Sequence, residues 1–171
     1  QKKRKLEKEK AIQRKEQLRL TELKKILKNN KIHPKSQVAF WFETQDMDKV
    51  FVDWKVFAGV VKSGSKKGQP NRPVRLKQNS ACLITTRAAG VPEKDRRILG
   101  VFMVNEDFTG KLCKDGYVPA HSQYRVRLSE QESKKMLFWN YIVNEKYPQN
   151  MTWNSGNYRY FDNVWMAQIL K

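Results

Sequence analysis

The chain has 171 residues, enough for one ordinary domain and an appendage but too few for two full domains. Its 35 Lys and Arg against 17 Asp and Glu give a formal charge of +18 and a pI near 10, a field that attracts polyanions and repels basic partners. No stretch approaches the ~18–20 consecutive apolar residues of a membrane span, so no membrane association is expected.

The charge is unevenly placed. Residues 1–36 carry 14 basic against 4 acidic side chains and residues 62–97 carry 10 against 2, while the remainder balances at 11 against 11. Two segments therefore supply the whole excess, which points to contact faces rather than a solubility device spread over the surface. The expected organisation is a basic N-terminal helix and linker over 1–36 and one α+β domain over 37–171.

Residues 1–30 lack Gly and Pro and are dominated by Lys, Glu, Gln, Leu and Arg, which predicts a helix. Apolar positions are sparse at first and become regular at Leu20, Leu23, Ile26 and Leu27, so the second half is expected to dock on the domain. The first half has too few apolar groups to bury. A solvated helix, a coiled-coil strand and a phosphate-tracking arm stay open for it, as does self-association or a protein partner through residues 1–30. Lys2-Lys3-Arg4-Lys5 resembles a short nuclear-import run. The chain starts at Gln1 rather than Met, which leaves open that it is a fragment of a longer, intracellular protein.

From residue 38 the period changes. Val38 to Phe42 reads as a buried strand, and Val50 to Val61, rich in β-branched and aromatic residues, reads as another. Ser63 to Pro73 is a Gly/Pro/Ser loop with three basic residues, an exposed cationic tip. Val74–Leu76, Ala81–Thr86 and Ile98–Val104 predict further strands, and Ser122–Leu128 one more. Ser129-Glu130-Gln131-Glu132 has the pattern of a helix cap, Met136 to Ile142 supplies a helical face, and Pro148 closes that helix. A polar, aromatic loop over Asn150–Asn163 leads to a short helix at Val164–Leu170. The order predicts an α+β fold: a curved or closed, mostly antiparallel, barrel-like sheet flanked by helices.

The residues expected to contact phosphates are Lys62, Lys66, Lys67, Arg72, Arg75, Lys77 and Arg87, all in one basic loop-and-strand region. Nine of the 19 aromatic residues lie between 138 and 165, mixed with amides and Arg159. Aromatic faces stack on bases while Asn, Asp and Arg read base edges, which makes Trp153, Asn154, Tyr158, Arg159 and Asp162 candidates for a base pocket. The competing use of that loop is a small core of its own, with Tyr and Trp tips satisfying backbone groups. Trp41 and Trp54, on the early strands, join the candidates.

Signals for metal or catalysis are weak. The Cys113-x7-His121 spacing does not suit zinc, His33 stands alone, and no paired-cysteine motif, phosphate loop or dinucleotide fingerprint occurs. Glu43, Asp46, Asp48 and Asp53 suit either a surface turn or magnesium in a nuclease. Cys82, in an apolar run, reads as a small core residue, and His121 as a satisfied structural histidine. No catalytic residue, metal or cofactor is assigned.

The stretch Asn79–Val104 carries a resemblance. A polar turn leads into an apolar strand ending Ile84-Thr85-Thr86-Arg87, and after a polar connection comes Arg97-Ile98-Leu99-Gly100-Val101-Phe102-Met103-Val104 with a mid-strand glycine. This is similar to the central strands of PUA-like barrels, the superfamily that includes the EVE, ASCH and YTH modules. It is closest over 79–104 and looser over the rest of the domain. The Gly-Asp that often opens the first of these strands is Asn79-Ser80 here. The resemblance implies a curved barrel that binds RNA or DNA, in many relatives with a pocket for a modified or flipped base. The function expected from the residues is DNA or RNA binding. The alternatives are a nuclease or base-modifying enzyme, or a scaffold whose basic helix binds an acidic partner.

Overall fold

The computed structural model describes residues 2–29, 35–143, 146–153 and 156–171, and within the first helix the side chains of 4–18, 20 and 21. The expected docking of Leu23, Ile26 and Leu27 and the site candidate Asn154 lie outside the described residues. Two compact units are present, Gln1–Lys31 and Ile32–Lys171. The first is the helix α1 (Lys2–Asn29), whose described apolar side chains Leu6, Ile12, Leu18 and Leu20 are exposed.

The second unit is α+β. Six strands form one curled, mixed sheet in the order β2-β5-β4-β3-β1-β6: β1 (Gln37–Phe42), β2 (Lys55–Phe57), β3 (Ala81–Thr86), β4 (Arg97–Val104), β5 (Tyr117–Arg127) and β6 (Tyr158–Phe161). β1 and β3 run parallel, and the other neighbours run antiparallel. Alternation along β1 and β3 sends Val38, Phe40, Cys82 and Ile84 to one core, and Ala39 and Leu83 to a second core on the opposite face. Two bulges curl the sheet. Ile84 pairs with Gly100 and Thr85 with Ile98, so Leu99 is an extra residue on β4. Four residues of β5, 121–124, lie between the pairs Phe102–Arg125 and Val104–Ala120. His121 holds this larger bulge, its Nδ1 accepting from the amides of Gln123 (3.0 Å) and Tyr124 (3.3 Å). The structural role expected for His121 is therefore filled by backbone groups.

Helices cover both faces. On the first lies α2 (Met47–Asp53), and on the second lie α4 (Phe138–Tyr141) and α5 (Asn163–Ile169), with α3 (Glu130–Lys135) following β5. Ser129 and Glu132 form the capping box at the start of α3 (Ser129 N to Glu132 Oε2, 2.8 Å; Glu132 N to Ser129 Oγ, 3.3 Å).

Four elements depart from the sequence reading, each for a physical reason. Val50–Val61 is not one strand: its first part belongs to α2, because Met47, Val50, Phe51 and Trp54 also satisfy a helical period and pack in the first core. Trp54 ends that helix in the left-handed conformation (φ 49°), and β2 is only Lys55–Phe57. Val74–Leu76 is a turn after Pro73, with Leu76 N donating to Pro73 O. The helix expected up to Pro148 breaks at Met136, because Ile98 N donates to Met136 O and Phe138 N to Arg96 O, drawing the chain against β4. Within the expected loop 150–163, Tyr158–Phe161 pairs with β1 as an edge strand. Cys82 is fully buried, as expected of a core residue, and burial raises its thiol pKa well above the ordinary value.

Candidate nucleic-acid interface

Between the end of β1, α2 and β2 lies a cavity of about 630 Å³, within the range of small-molecule sites. Its aromatic lining comes from Phe42, Phe57 and Tyr117. Phe57 and Tyr117 face each other across the β2–β5 pair with ring centroids 5.0 Å apart, and Lys55 Nζ stands 5.2 Å from the Tyr117 ring. Glu43, Asp46 and Asp53 add carboxylates, and Lys49, Lys55 and Lys62 add ammonium groups. Trp41 borders the cavity from the end of β1, while its ring packs against the second core beside Arg96.

Asn157 forms one wall. Its carbonyl accepts from Trp41 N at 2.8 Å, and its side chain abuts Gly59. Gly59 has φ 79°, and a Cβ there would stand 2.9 Å from Asn157 Cγ, so both the backbone and the space require glycine. The basic loop begins beside this wall and is pinned at its neck. Val61 N donates to Gln69 O, Gly68 N to Val61 O, and Asn71 Nδ2 to Ala58 O, each at 2.9 Å. The tip is thus an ordered excursion rather than a loose tether.

The seven expected phosphate contacts separate into groups. Lys62 lines the cavity, and Lys66, Lys67, Arg72 and Lys77 are exposed. Arg75 lies 4.9 Å over the Tyr160 ring, and its amide donates to the Tyr160 hydroxyl. Burial pushes the Tyr160 phenol up to about 12 and raises that of Tyr158 as well. Arg87 is half-buried and engaged, with Nε 3.2 Å from Glu93 and Nη1 donating to Val91 O.

The base-pocket candidates do not converge on one place. Trp41 borders the large cavity. Tyr158 packs on Phe40 in the first core, and Trp54 packs edge-on against Phe51. Trp153 is only 5% exposed: Arg96 lies 4.3 Å over its ring, Phe138 packs beside it, and its Nε1 donates to Gly156 O. The aromatic loop therefore builds a small core around a buried cation. Arg96, 0% exposed, is clamped by Glu93, which also accepts from Trp139 Nε1. Arg159 lies over Trp139 and Trp153, and burial together with Arg96 lowers its pKa. With Asp162, which caps α5 by accepting from Val164 N, Arg159 borders a separate cleft of about 290 Å³.

Sequence reasoning missed Phe42, Phe57, Tyr117, Asn157, Lys49 and Lys55. The sequence signal for Phe42, Lys49, Lys55 and Phe57 is the aromatic and charged density of 40–57, which reads equally well as strand and turn; Asn157 lies in the polar, aromatic loop, and Tyr117 carries no signal. Among the described residues no group of three or more His, Cys, Asp or Glu side chains is placed to hold a metal ion, and no helix is long and apolar enough to cross a membrane. No known protein family, curated protein or solved structure matches this chain.

Proposed function

We propose that this protein binds nucleic acid, DNA or RNA, taking an unpaired base into the cavity between β1 and β2 while the neighbouring basic loop contacts phosphates. The observation that carries the reading is the composition of that cavity. Three aromatic side chains, three carboxylates and three lysines line one space beside the cationic loop. Aromatic rings stack on a base of any identity, carboxylates accept from ring N–H and exocyclic amino groups, and ammonium groups suit the adjoining phosphates. A curled sheet with a cavity between β1 and β2 also supports a PUA-like module as the architecture behind this binding.

The experiment is a binding panel of single- and double-stranded DNA and RNA, with modified bases included, at two salt concentrations. Single strands bind more tightly than duplexes. Tyr117→Ala weakens binding about tenfold through lost stacking with little change in salt slope. Neutralising Lys66, Lys67 and Arg72 together weakens binding across sequences and lowers the salt slope by about 2. A chain that binds none of the panel at low salt overturns the reading.

A further inference from the structure

The second half of β5 carries a cationic element that the charge map of the sequence hides inside a neutral segment. β2 pairs only with Tyr117–Pro119, so beyond Ala120 this side of the strand meets α2 instead of another strand. Arg125 and Arg127 stand two residues apart and leave the strand on the same face. The Arg125 guanidinium lies 4.9 Å from the Trp54 ring and that of Arg127 lies 4.7 Å from the Phe51 ring. Both arginines are exposed. Stacking on a ring orients a guanidinium while leaving its N–H edges open to an oxyanion. Arg127 also meets Asp48 at 3.0 Å, but both members are exposed, and such a pair is weak enough for a phosphate to replace it. Arg125 has no carboxylate partner among the described residues.

The platform beneath them is built in. A Cβ at Gly100 would stand 2.7 Å from Val126 O and 2.8 Å from Phe51 Cε1, so the strand backbone and the α2 ring touch across a position that only glycine leaves open. The same helix presents Lys49, Val50 and Asp53 to the large cavity. One short helix thus separates the cavity from the stacked arginines, a width of about 10–12 Å that a short length of extended single strand covers. A duplex cannot place a paired base in the cavity and its backbone on the arginines together.

We infer that Arg125 and Arg127, held over Trp54 and Phe51, form a phosphate rail for a single-stranded nucleic acid whose base enters the neighbouring cavity. This rests on the binding reading above and adds the direction in which the strand leaves the site.

The test is fluorescence anisotropy of the full chain with labelled short oligothymidylate and oligouridylate, and with a labelled duplex of equal length, over a salt series. Replacing both residues (Arg125→Gln with Arg127→Gln) lowers single-strand affinity about tenfold at low salt and reduces the salt slope by about 1.4. The duplex is affected less. The Arg125→Lys and Arg127→Lys pair keeps the charge and retains the slope, which a purely structural role would not produce. Should the double Gln variant fail to fold, Arg125→Gln alone reduces the slope by about 0.7. Unchanged single-strand affinity and slope, or an equal loss for the duplex, overturn the rail. If those results accompany a Tyr117→Ala defect, the cavity reading stands and only the rail falls; if the parent chain binds neither probe, both fall.

Discussion

Arg96 and Arg125 each rest on a tryptophan ring, and their surroundings differ in the way that separates structure from binding. Arg96 lies over Trp153 and within 5.2 Å of the Trp41 ring, fully buried, with Nε and Nη2 donating to Glu93 and Nη1 to Thr85. Arg125 lies over Trp54 on the other side of the sheet, exposed and without a carboxylate partner among the described residues. The stacking geometry is the same in kind. What differs is whether the hydrogen-bond donors are already spent inside the protein. The first arrangement holds the aromatic loop and α4 against the sheet, and the second presents an oriented cation to solvent.

Breaking the closed side should have the largest effect. Arg96→Ala removes a fully buried side chain, leaves half-buried Glu93 without its main partner and opens space beside Trp153, and should destabilise the domain by about 3–5 kcal/mol. Arg125→Ala should stay within about 0.5 kcal/mol of the parent. Chemical denaturation of both variants checks the contrast, and equal losses would erase the distinction between the two sites. Gly100→Ala comes next. Its methyl meets a carbonyl oxygen and the Phe51 ring, so a loss of about 1–3 kcal/mol is expected, together with weaker oligonucleotide binding as the rail's platform shifts.

The smallest effect concerns pH. Tyr160 packs against the first core beneath Arg75, with its phenol raised to about 12. A folded-state value above the unfolded one, about 10, means that its contribution to stability is complete below pH ~10 and is lost as pH rises through ~12. An ultraviolet phenolate titration should show a late step that disappears in Tyr160→Phe. A titration in which that variant loses only an ordinary step would place Tyr160 outside the core.

Much of the fold could be read directly. β1, β3, β4 and the end of β5 follow from apolar alternation and β-branched content, the start of α3 from its capping pattern, and α5 from the apolar positions after Asp162. The stretch 47–57 could not be read this way, because Met47, Val50, Phe51 and Trp54 fit a helix face while their residue types favour strands. Packing against β5 decides between the two. The candidate site was less legible still. Of the aromatic residues expected in a base pocket, only Trp41 borders the large cavity, and the rings that line it come from residues with no motif.

The sequence alone determined that the chain is cationic, that the excess sits in 1–36 and 62–97, and that the rest is an α+β domain rich in aromatic residues. These follow from composition and local periodicity, which depend on neighbours along the chain. Only the tertiary structure decided which aromatics are core and which line a cavity, and which arginines keep their donors free. Those properties depend on contacts across strands and helices, such as Glu93 reaching Trp139 or β5 crossing Phe51 at Gly100. A local pattern carries no record of such partners, because the same Arg beside the same Trp is a buried clamp or an open binding edge according to what the fold brings to its other side.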